Sequence, residues 1–253
     1  LGYPSIVASG DNSCILHYST NRDKVANDGL ILIDAGAEYN MYSSDVTRTF
    51  PINGKFSSPQ KDIYEEVLKA QLLGINNVNT SNTMSGIHEL TVASISQSLV
   101  DLGLVPMGVD ETISMMHYFE FFMHGTGHWL GLDVHDAGST EEKNKPRKLK
   151  PGMVTTVEPG IYIRPNKPEI EFKLLERDPK EIRERRKQLG MEKATILENE
   201  ELKDAKSIKH KIPKDLLGIG IRIEDDIVCT EEDPINLTSG APKTIEDIEA
   251  ICN

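Results

Sequence analysis

The fold of this chain is decided by residues 34–50, which read DAGAEYNMYSSDVTRTF. Asp34 follows an apolar run at 30–33, and a carboxylate at the end of such a buried strand is costly unless it has a partner. Asp45 begins a second predicted strand over 45–50, so a hairpin would bring the two side chains together. Two carboxylates that share a site repel unless a proton or cation lies between them. Taken alone, the segment also fits a turn residue and a charge at a strand edge.

A second stretch, residues 124–136, reads HGTGHWLGLDVHD and holds His124, His128 and His135 among glycines that allow close backbone approach. Imidazole is both a neutral metal ligand and a hydrogen-bond donor near neutral pH. A single histidine is more often a structural residue, but three at this spacing indicate a functional site.

Two further stretches place acidic side chains at the end of a predicted strand or within one. Glu158 follows a β-branched strand over 153–157 and directly precedes a Pro-Gly turn. In a strand predicted over 220–229, alternation places Arg222, Glu224 and Asp226 on one face. Each stretch alone is equally consistent with a carboxylate at the surface. Only the four stretches together indicate a functional site.

The remaining pattern predicts a mixed α and β chain. A strand pair is expected over 5–18, broken near Gly10, and a helix begins at 57–59 with apolar residues at helical spacing as far as Gly74. A second helix is expected over 87–102. Residues 166–215, hereafter the charged segment, hold 14 basic and 12 acidic side chains, whereas the rest of the chain holds 14 and 28. This mixture predicts a solvated helix with i,i+4 ion pairs in a surface excursion, and disfavours a nucleic-acid-binding arm.

Composition excludes several classes of protein. The formal net charge of −12 argues against a generic nucleic-acid binder. The three cysteines are far apart and form no CxxC pair, so neither a disulfide framework nor a zinc ribbon is predicted, and we expect a reducing, cytoplasmic location. No apolar run approaches the roughly 20 residues that would span a bilayer.

Taken together, the four stretches resemble the creatinase-like, or pita-bread, metallopeptidase family, which includes methionine aminopeptidase, prolidase and aminopeptidase P. The resemblance rests on Asp34, Asp45, His128, Glu158 and Glu224, which match the family's five metal ligands in kind and order. It implies an α+β fold in which a curved antiparallel sheet with pseudo-twofold halves is flanked by helices. We expect one catalytic domain over 1–253, with a surface insert at about 166–215 and without the N-terminal domain usual in the family.

Within the family, the 124–136 run, the strand that carries Arg222 and the stretch 15–18 look most like aminopeptidase P, which removes an N-terminal residue that precedes proline. Prolidase, an X-Pro dipeptidase, is the nearest alternative, and methionine aminopeptidase is disfavoured. A scaffold that binds peptides or proteins without catalysis is a third interpretation. It is disfavoured because such relatives usually lose metal ligands, and all five are present here.

The resemblance implies two divalent ions, with Mn²⁺ expected and Co²⁺ or Zn²⁺ as alternatives. Asp34 would hold one ion, His128 and Glu158 the other, and Asp45 and Glu224 would bridge them. A hydroxide that bridges the ions would attack the carbonyl of the X-Pro bond, and Glu158 would pass a proton to the leaving amine.

The resemblance also assigns the remaining polar residues. His17 and His135 would donate to the carbonyl oxygen, and His124 would line the proline pocket. Arg222 would orient Asp45 or another ligand, and Asp136 would fix the imidazole of His135 or His124. The expected partners are a peptide with proline at its second position and further copies of the chain in a homo-oligomer, with no nucleic acid and no membrane.

Overall fold

The computed structural model describes residues 1–25 and 27–252. The strands, in chain order, are β1 Ile6–Ser9, β2 Leu30–Asp34, β3 Glu38–Tyr39, β4 Tyr42–Ser43, β5 Thr47–Pro51, β6 Glu141–Glu142, β7 Lys145–Pro146, β8 Val154–Val157, β9 Gly160–Tyr162, β10 Glu169–Lys173, β11 Ser207–Lys211, β12 Gly220–Arg222, β13 Asp225–Val228 and β14 Ile235–Asn236. The helices are α1 Ser58–Asn76, α2 Met84–Asp101, α3 Val109–Ser114, α4 Pro179–Leu189, α5 Met191–Lys203 and α6 Ile245–Ile251.

The first sheet is antiparallel, in the order β1-β2-β5, and residues 34–50 run from the end of β2 into β5. Asp34 is the last residue of β2 and stands opposite Thr47 of β5, while Asp45 lies just before β5. Leu30 and Leu32 of β2 are buried, as the apolar run predicts. The predicted strand and hairpin are therefore confirmed, and the intervening residues form the small β3–β4 hairpin.

The predicted strand over 220–229 is wrong as a single element, because it divides into β12 and β13. β12 pairs with β9, whereas β13 pairs with β8 and β14. Between the two strands, the amide of Ile223 donates to the carbonyl of Pro159 at 3.3 Å. The amide of Glu224 donates to Thr47 of the first sheet at 3.1 Å. At this break the chain is therefore hydrogen-bonded to the first sheet, which places Glu224 beside β5.

Helices α1 and α2 pack against each other and cover the sheets. At the start of α1, the backbone amide of Ser57 donates to the side chain of Gln60 at 2.9 Å, and Pro59 lies in the first turn. α2 starts at Thr83, whose hydroxyl accepts from the amide of Gly86 at 3.0 Å. Gly74 of α1 lies so close to β8 that an added Cβ would stand 2.8 Å from the side chain of Val157. Both predicted helices are confirmed within a few residues at their ends.

The second strand expected over 5–18 is replaced by a 3₁₀ helix at Gly10–Cys14. Gly10 adopts φ +57°, which turns the chain out of the extended conformation. This turn packs under β12, where a Cβ on Gly220 would stand 2.3 Å from the carbonyl oxygen of Ser13. Close packing against β12, which local sequence does not reveal, explains the difference.

The charged segment forms the antiparallel pair β10–β11 with helices α4 and α5 between the two strands. Ile170, Phe172 and Ile182 are buried in the main core, so the base of the segment is part of the packed molecule. Several of its ion pairs join different helices rather than turns of one helix, since Arg186 pairs with Glu198 and Arg185 with Glu201. Among the described residues, none of the helices combines the length and apolar character needed to cross a bilayer.

Candidate metal centre

Five elements bring their ends to one cavity of about 310 Å³. Asp34 ends β2, Asp45 precedes β5, Glu158 follows β8, and Glu224 lies at the break between β12 and β13. His128 lies in a loop that pairs with β8 through a hydrogen bond from the Thr156 amide to the His128 carbonyl, 3.0 Å long. The cavity lining consists of Leu16, His17, Asp34, Asp45, His124, Gly125, Gly127, His128, His135, Glu158, Arg222 and Glu224. All of the site residues that the resemblance assigns, except Asp136, therefore line one cavity.

Three of the expected ligands are already close enough to share one ion. Asp45, His128 and Glu224 each offer a ligand atom, and these atoms lie within 4.8 Å of one another. The Nε2 atom of His128 is 3.4 Å from Asp45 and 3.5 Å from Glu158. Carboxylates and one imidazole, without a thiolate, suit hard or borderline divalent cations. This donor set fits the metal chemistry that the sequence suggests.

The acidic groups of the cavity repel one another. Burial, reinforced by the charges of Asp45 and Asp34, raises the pKa of Glu158 to about 7. Burial also raises the pKa of Glu224, and the nearby Glu158 and Asp45 raise it further. Burial alone would raise the pKa of Asp45, but hydrogen bonds with His128 and Tyr3 outweigh it and lower that pKa. A divalent cation would relieve the repulsion that raises the pKa of both glutamates.

Arg222 supplies part of the missing positive charge. Its Nη2 donates to Asp34 at 2.5 Å, its Nε to the Thr47 hydroxyl at 3.1 Å and its Nη1 to the Tyr162 hydroxyl at 3.1 Å. The sequence left open whether Arg222 orients Asp45 or another ligand. In the structure Arg222 contacts Asp34. A rigid guanidinium that touches both a carboxylate and the strand behind it can hold that carboxylate in one orientation.

The three further histidines have different surroundings. The Nδ1 atom of His124 lies 2.8 Å from the carbonyl of Gly125, and its Nε2 lies 2.9 Å from the Tyr162 hydroxyl. Burial, reinforced by the charge of Arg222, lowers the pKa of His124 to about 3, so this ring is neutral at pH 7. The ring of His135 stands edge-on to His128 with centroids 4.3 Å apart. His17 and His135 both line the cavity, as donors to a substrate would.

The expectation that Asp136 fixes the imidazole of His135 or His124 is not met. Its Oδ1 accepts from the amide of Ala137 at 2.9 Å, and within the described residues no hydrogen bond joins it to either ring. Its other oxygen lies against Gly131, where an added Cβ would stand 2.1 Å away. Asp136 therefore supports the loop over 129–136, which its own amide closes by donating to the carbonyl of Trp129 at 3.0 Å.

Sequence reasoning missed Tyr3 and His88. The hydroxyl of Tyr3 lies 2.5 Å from both Asp34 and Asp45, and burial together with these carboxylates raises its pKa far above the usual value. His88 of α2 contacts the hydroxyl of Thr126 at 2.9 Å, next to the histidine-rich loop. Each is a single residue far from the motifs along the chain, so no local pattern marks it.

Comparisons with known proteins agree with this geometry. The model of metallopeptidase family M24 matches residues 1–231. An Xaa-Pro aminopeptidase of Haemophilus influenzae is 44% identical over 252 residues, which cover 99% of this chain and 48% of that protein. An Xaa-Pro aminopeptidase of Escherichia coli is 39% identical over 249 residues, covering 98% of this chain and 46% of that protein.

Solved structures give the same result. Pseudomonas aeruginosa aminopeptidase PepP superposes with a TM-score of 0.80 at 41% identity, over 99% of this chain and 47% of that one. A variant of Escherichia coli aminopeptidase P in complex with substrate superposes with a TM-score of 0.78 at 39% identity, over 99% and 47%. The chain thus spans about half the length of the relatives it matches.

Proposed function

The chain belongs to metallopeptidase family M24 and has its pita-bread fold, and on that premise we propose that it is the catalytic domain of an X-Pro aminopeptidase. The substrate is a peptide with proline at its second position. One observation carries the proposal: the ligand atoms of Asp45, His128 and Glu224 converge within 4.8 Å in a cavity that Glu158 and Asp34 also line. The names of the relatives supply the X-Pro specificity.

We propose that two divalent ions bind here, and that Asp34, Asp45, His128, Glu158 and Glu224 would hold them. When bound, such a pair would supply an activated water and stabilise the charge that develops on the attacked carbonyl. The raised pKa of the protein's own carboxylates supports this assignment, because a site with excess negative charge favours cations.

The chain's own side chains would then handle protons and orientation. Glu158, whose carboxylate lines the cavity and lies 3.5 Å from the Nε2 atom of His128, would pass a proton to the leaving amine. His17 and His135 would donate to the substrate carbonyl oxygen. His124, which is neutral and stands edge-on to Phe122 at 4.9 Å, would form part of an apolar wall for the proline ring.

We propose further that residues 1–253 act as one catalytic domain, with the charged segment as a surface insert. Mn²⁺ is the first metal to test, and a homo-oligomer and a cytoplasmic location stay predictions.

The decisive assay compares Ala-Pro-Ala with Ala-Ala-Ala and with the dipeptide Ala-Pro, each with Mn²⁺, Co²⁺ and Zn²⁺. We expect release of the first alanine from Ala-Pro-Ala alone. Hydrolysis of Ala-Pro but not of the tripeptide would identify a prolidase instead. Metal binding without hydrolysis of any peptide would favour a scaffold that only binds peptides.

A further inference from the structure

Behind the cavity, Arg48 of β5 is buried, with only 4% of its surface exposed. A guanidinium has five N–H bonds, and here each can be assigned an acceptor between 2.6 and 3.0 Å away. The acceptors are the carbonyl oxygens of Thr47, Glu224, Ala241 and Pro242 and the Oδ1 atom of Asp225. Neither Arg48 nor Asp225 is among the described residues that line the cavity.

Asp225, the partner of Arg48, is fully buried and has two donors on each oxygen. Its Oδ1 accepts from Arg48 at 2.7 Å and from Thr238 at 2.8 Å. Its Oδ2 accepts from Gln71 at 2.7 Å and from Lys243 at 2.6 Å. A buried ion pair with all its hydrogen bonds made has a single geometry, because any shift leaves a charged group without a partner.

This network converges on one of the candidate metal ligands. The Nη1 atom of Arg48 donates to the carbonyl of Glu224 at 2.6 Å, and the amide of Glu224 donates to the carbonyl of Thr47 at 3.1 Å. The hydroxyl of Thr47, the neighbour of Arg48, donates to the Oε2 atom of Glu224 at 2.6 Å. Residues of β5 therefore hold the backbone amide, the backbone carbonyl and one carboxylate oxygen of Glu224 by hydrogen bonds.

We propose that Arg48 and Asp225, acting through Thr47, are positioning residues that hold Glu224 in the orientation needed to bind metal. The proposal rests on the proposed function, since it assigns Glu224 to the metal. Glu224 needs such support because it lies where β12 ends and β13 has not begun, so no ladder partner fixes it. The side chains that orient metal ligands commonly tune affinity about 10–100-fold.

Lys243 offers a matched control within the same network. It donates to Asp225 at 2.6 Å and to Gln71 at 2.9 Å, and like Arg48 it balances the charge of Asp225. Its described hydrogen bonds and ion pairs include none to Glu224 or Thr47. A variant at Lys243 therefore disturbs the ion network without touching the ligand.

The test uses the full chain and Mn²⁺ alone, comparing Arg48→Lys with Lys243→Met. Lysine keeps the positive charge beside Asp225 but has three N–H donors where arginine has five, so it cannot reproduce all five hydrogen bonds. By calorimetric titration, Arg48→Lys should bind Mn²⁺ about 10–100-fold more weakly, and Lys243→Met should stay within about threefold of the unaltered chain. The visible spectrum of bound Co²⁺ should change in Arg48→Lys only. Thermal unfolding without metal measures how much stability each variant loses.

The proposal is overturned if Arg48→Lys binds Mn²⁺ as tightly as the unaltered chain, or if both variants lose affinity in proportion to lost stability. Should Arg48→Lys fail to fold, Thr47→Val decides, because it removes the hydroxyl that donates to the Glu224 carboxylate and accepts from Arg222, while the backbone contacts of Thr47 stay. Thr47→Val should weaken Mn²⁺ binding and Thr47→Ser should restore it, and equal affinity of all three chains would count against the proposal. Absence of Mn²⁺ binding by the unaltered chain would instead refute the proposed function.

Discussion

Two clusters of charged side chains in this molecule differ in how far the protein balances their negative charge. In the charged segment, Glu198 is 5% exposed and accepts from Arg186 at 2.8 and 3.0 Å and from Arg177 at 3.1 Å. Burial would raise the pKa of Glu198, but the two arginines outweigh it and lower that pKa. Its charge is therefore satisfied by the protein, and the cluster is explained by structure alone.

The metal centre has the reverse balance. Four carboxylates share a cavity whose lining includes one guanidinium, that of Arg222, and the pKa of both Glu158 and Glu224 is raised. Burial is comparable in the two regions, so burial alone does not identify a site. The useful signal is a group of carboxylates that the protein gathers without enough positive charge to balance them.

The largest expected difference between the two clusters is in catalysis. Glu158→Gln should lower hydrolysis of an X-Pro tripeptide about 10²–10⁴-fold, because the amide cannot carry the proton. Glu198→Gln should leave the rate within about twofold, because that carboxylate is remote from the reaction. Steady-state kinetics with metal in excess measures both, and more than a tenth of the activity in Glu158→Gln would refute its role.

The next effect concerns metal and stability. Adding Mn²⁺ at 100–1,000 times its Kd should raise the free energy of unfolding by about 3–4 kcal/mol. The rise should disappear in Asp45→Asn and persist in Glu198→Gln. Thermal unfolding of metal-free and metal-loaded chains checks this, and an unchanged Tm in the unaltered chain would contradict the assignment.

A smaller effect, on the free energy of unfolding, is expected when the ion pairs of Glu198 are removed. Glu198→Gln leaves Arg177 and Arg186 without their carboxylate and should cost about 1–3 kcal/mol, less than a deeply buried pair because both arginines are partly exposed. Urea denaturation measures the loss. Mn²⁺ affinity should be unchanged, and a parallel loss of metal binding would show that the two regions are coupled.

The smallest effect is a pH dependence in the metal-free chain. Burial raises the pKa of Glu158 and of Asp226 to about 7, so the folded chain binds protons that the unfolded chain has released. Stability supplied by such groups is lost as pH rises through the folded pKa. Four histidines have a pKa that burial lowers, so they are neutral in the folded chain while the unfolded chain still releases protons from them above pH 6.5, and they act in the other direction: His88, His117, His124 and His135.

Between pH 6.5 and 8 the loss from the carboxylates and the gain from the histidines therefore partly cancel, and the stability of the metal-free chain should change by no more than about 1 kcal/mol. The stabilisation by Mn²⁺ should grow over the same range, because the metal binds the deprotonated carboxylates. Unfolding curves at several pH values, with and without Mn²⁺, would show this, and a stabilisation by Mn²⁺ that does not increase towards pH 8 would contradict the raised pKa of the carboxylates.

Sequence predicted the parts of the site that local patterns encode. Asp34 at the end of an apolar strand, Glu158 before a Pro-Gly turn and the glycine-flanked histidines are all local signals, and all reach the cavity. The order of these motifs gave the family, whose model the chain matches. The metal ligation itself stays a prediction.

The rest depends on contacts that no local pattern contains. Alternation over 220–229 predicts one strand, but hydrogen bonds to Thr47 and Pro159 break it at Glu224. Tyr3 reaches Asp34 and Asp45 from the start of the chain, and it is one tyrosine among seven. Such residues are found only when the fold brings distant segments together.

The most direct test of the central claim is the number of metal ions that the chain binds. Metal-free protein would be dialysed against Mn²⁺, and the bound metal would be measured by elemental analysis against protein concentration. Two ions per chain are predicted, because four carboxylates and one imidazole form a dinuclear donor set. No bound Mn²⁺ would contradict the account, and a single ion would contradict its dinuclear part.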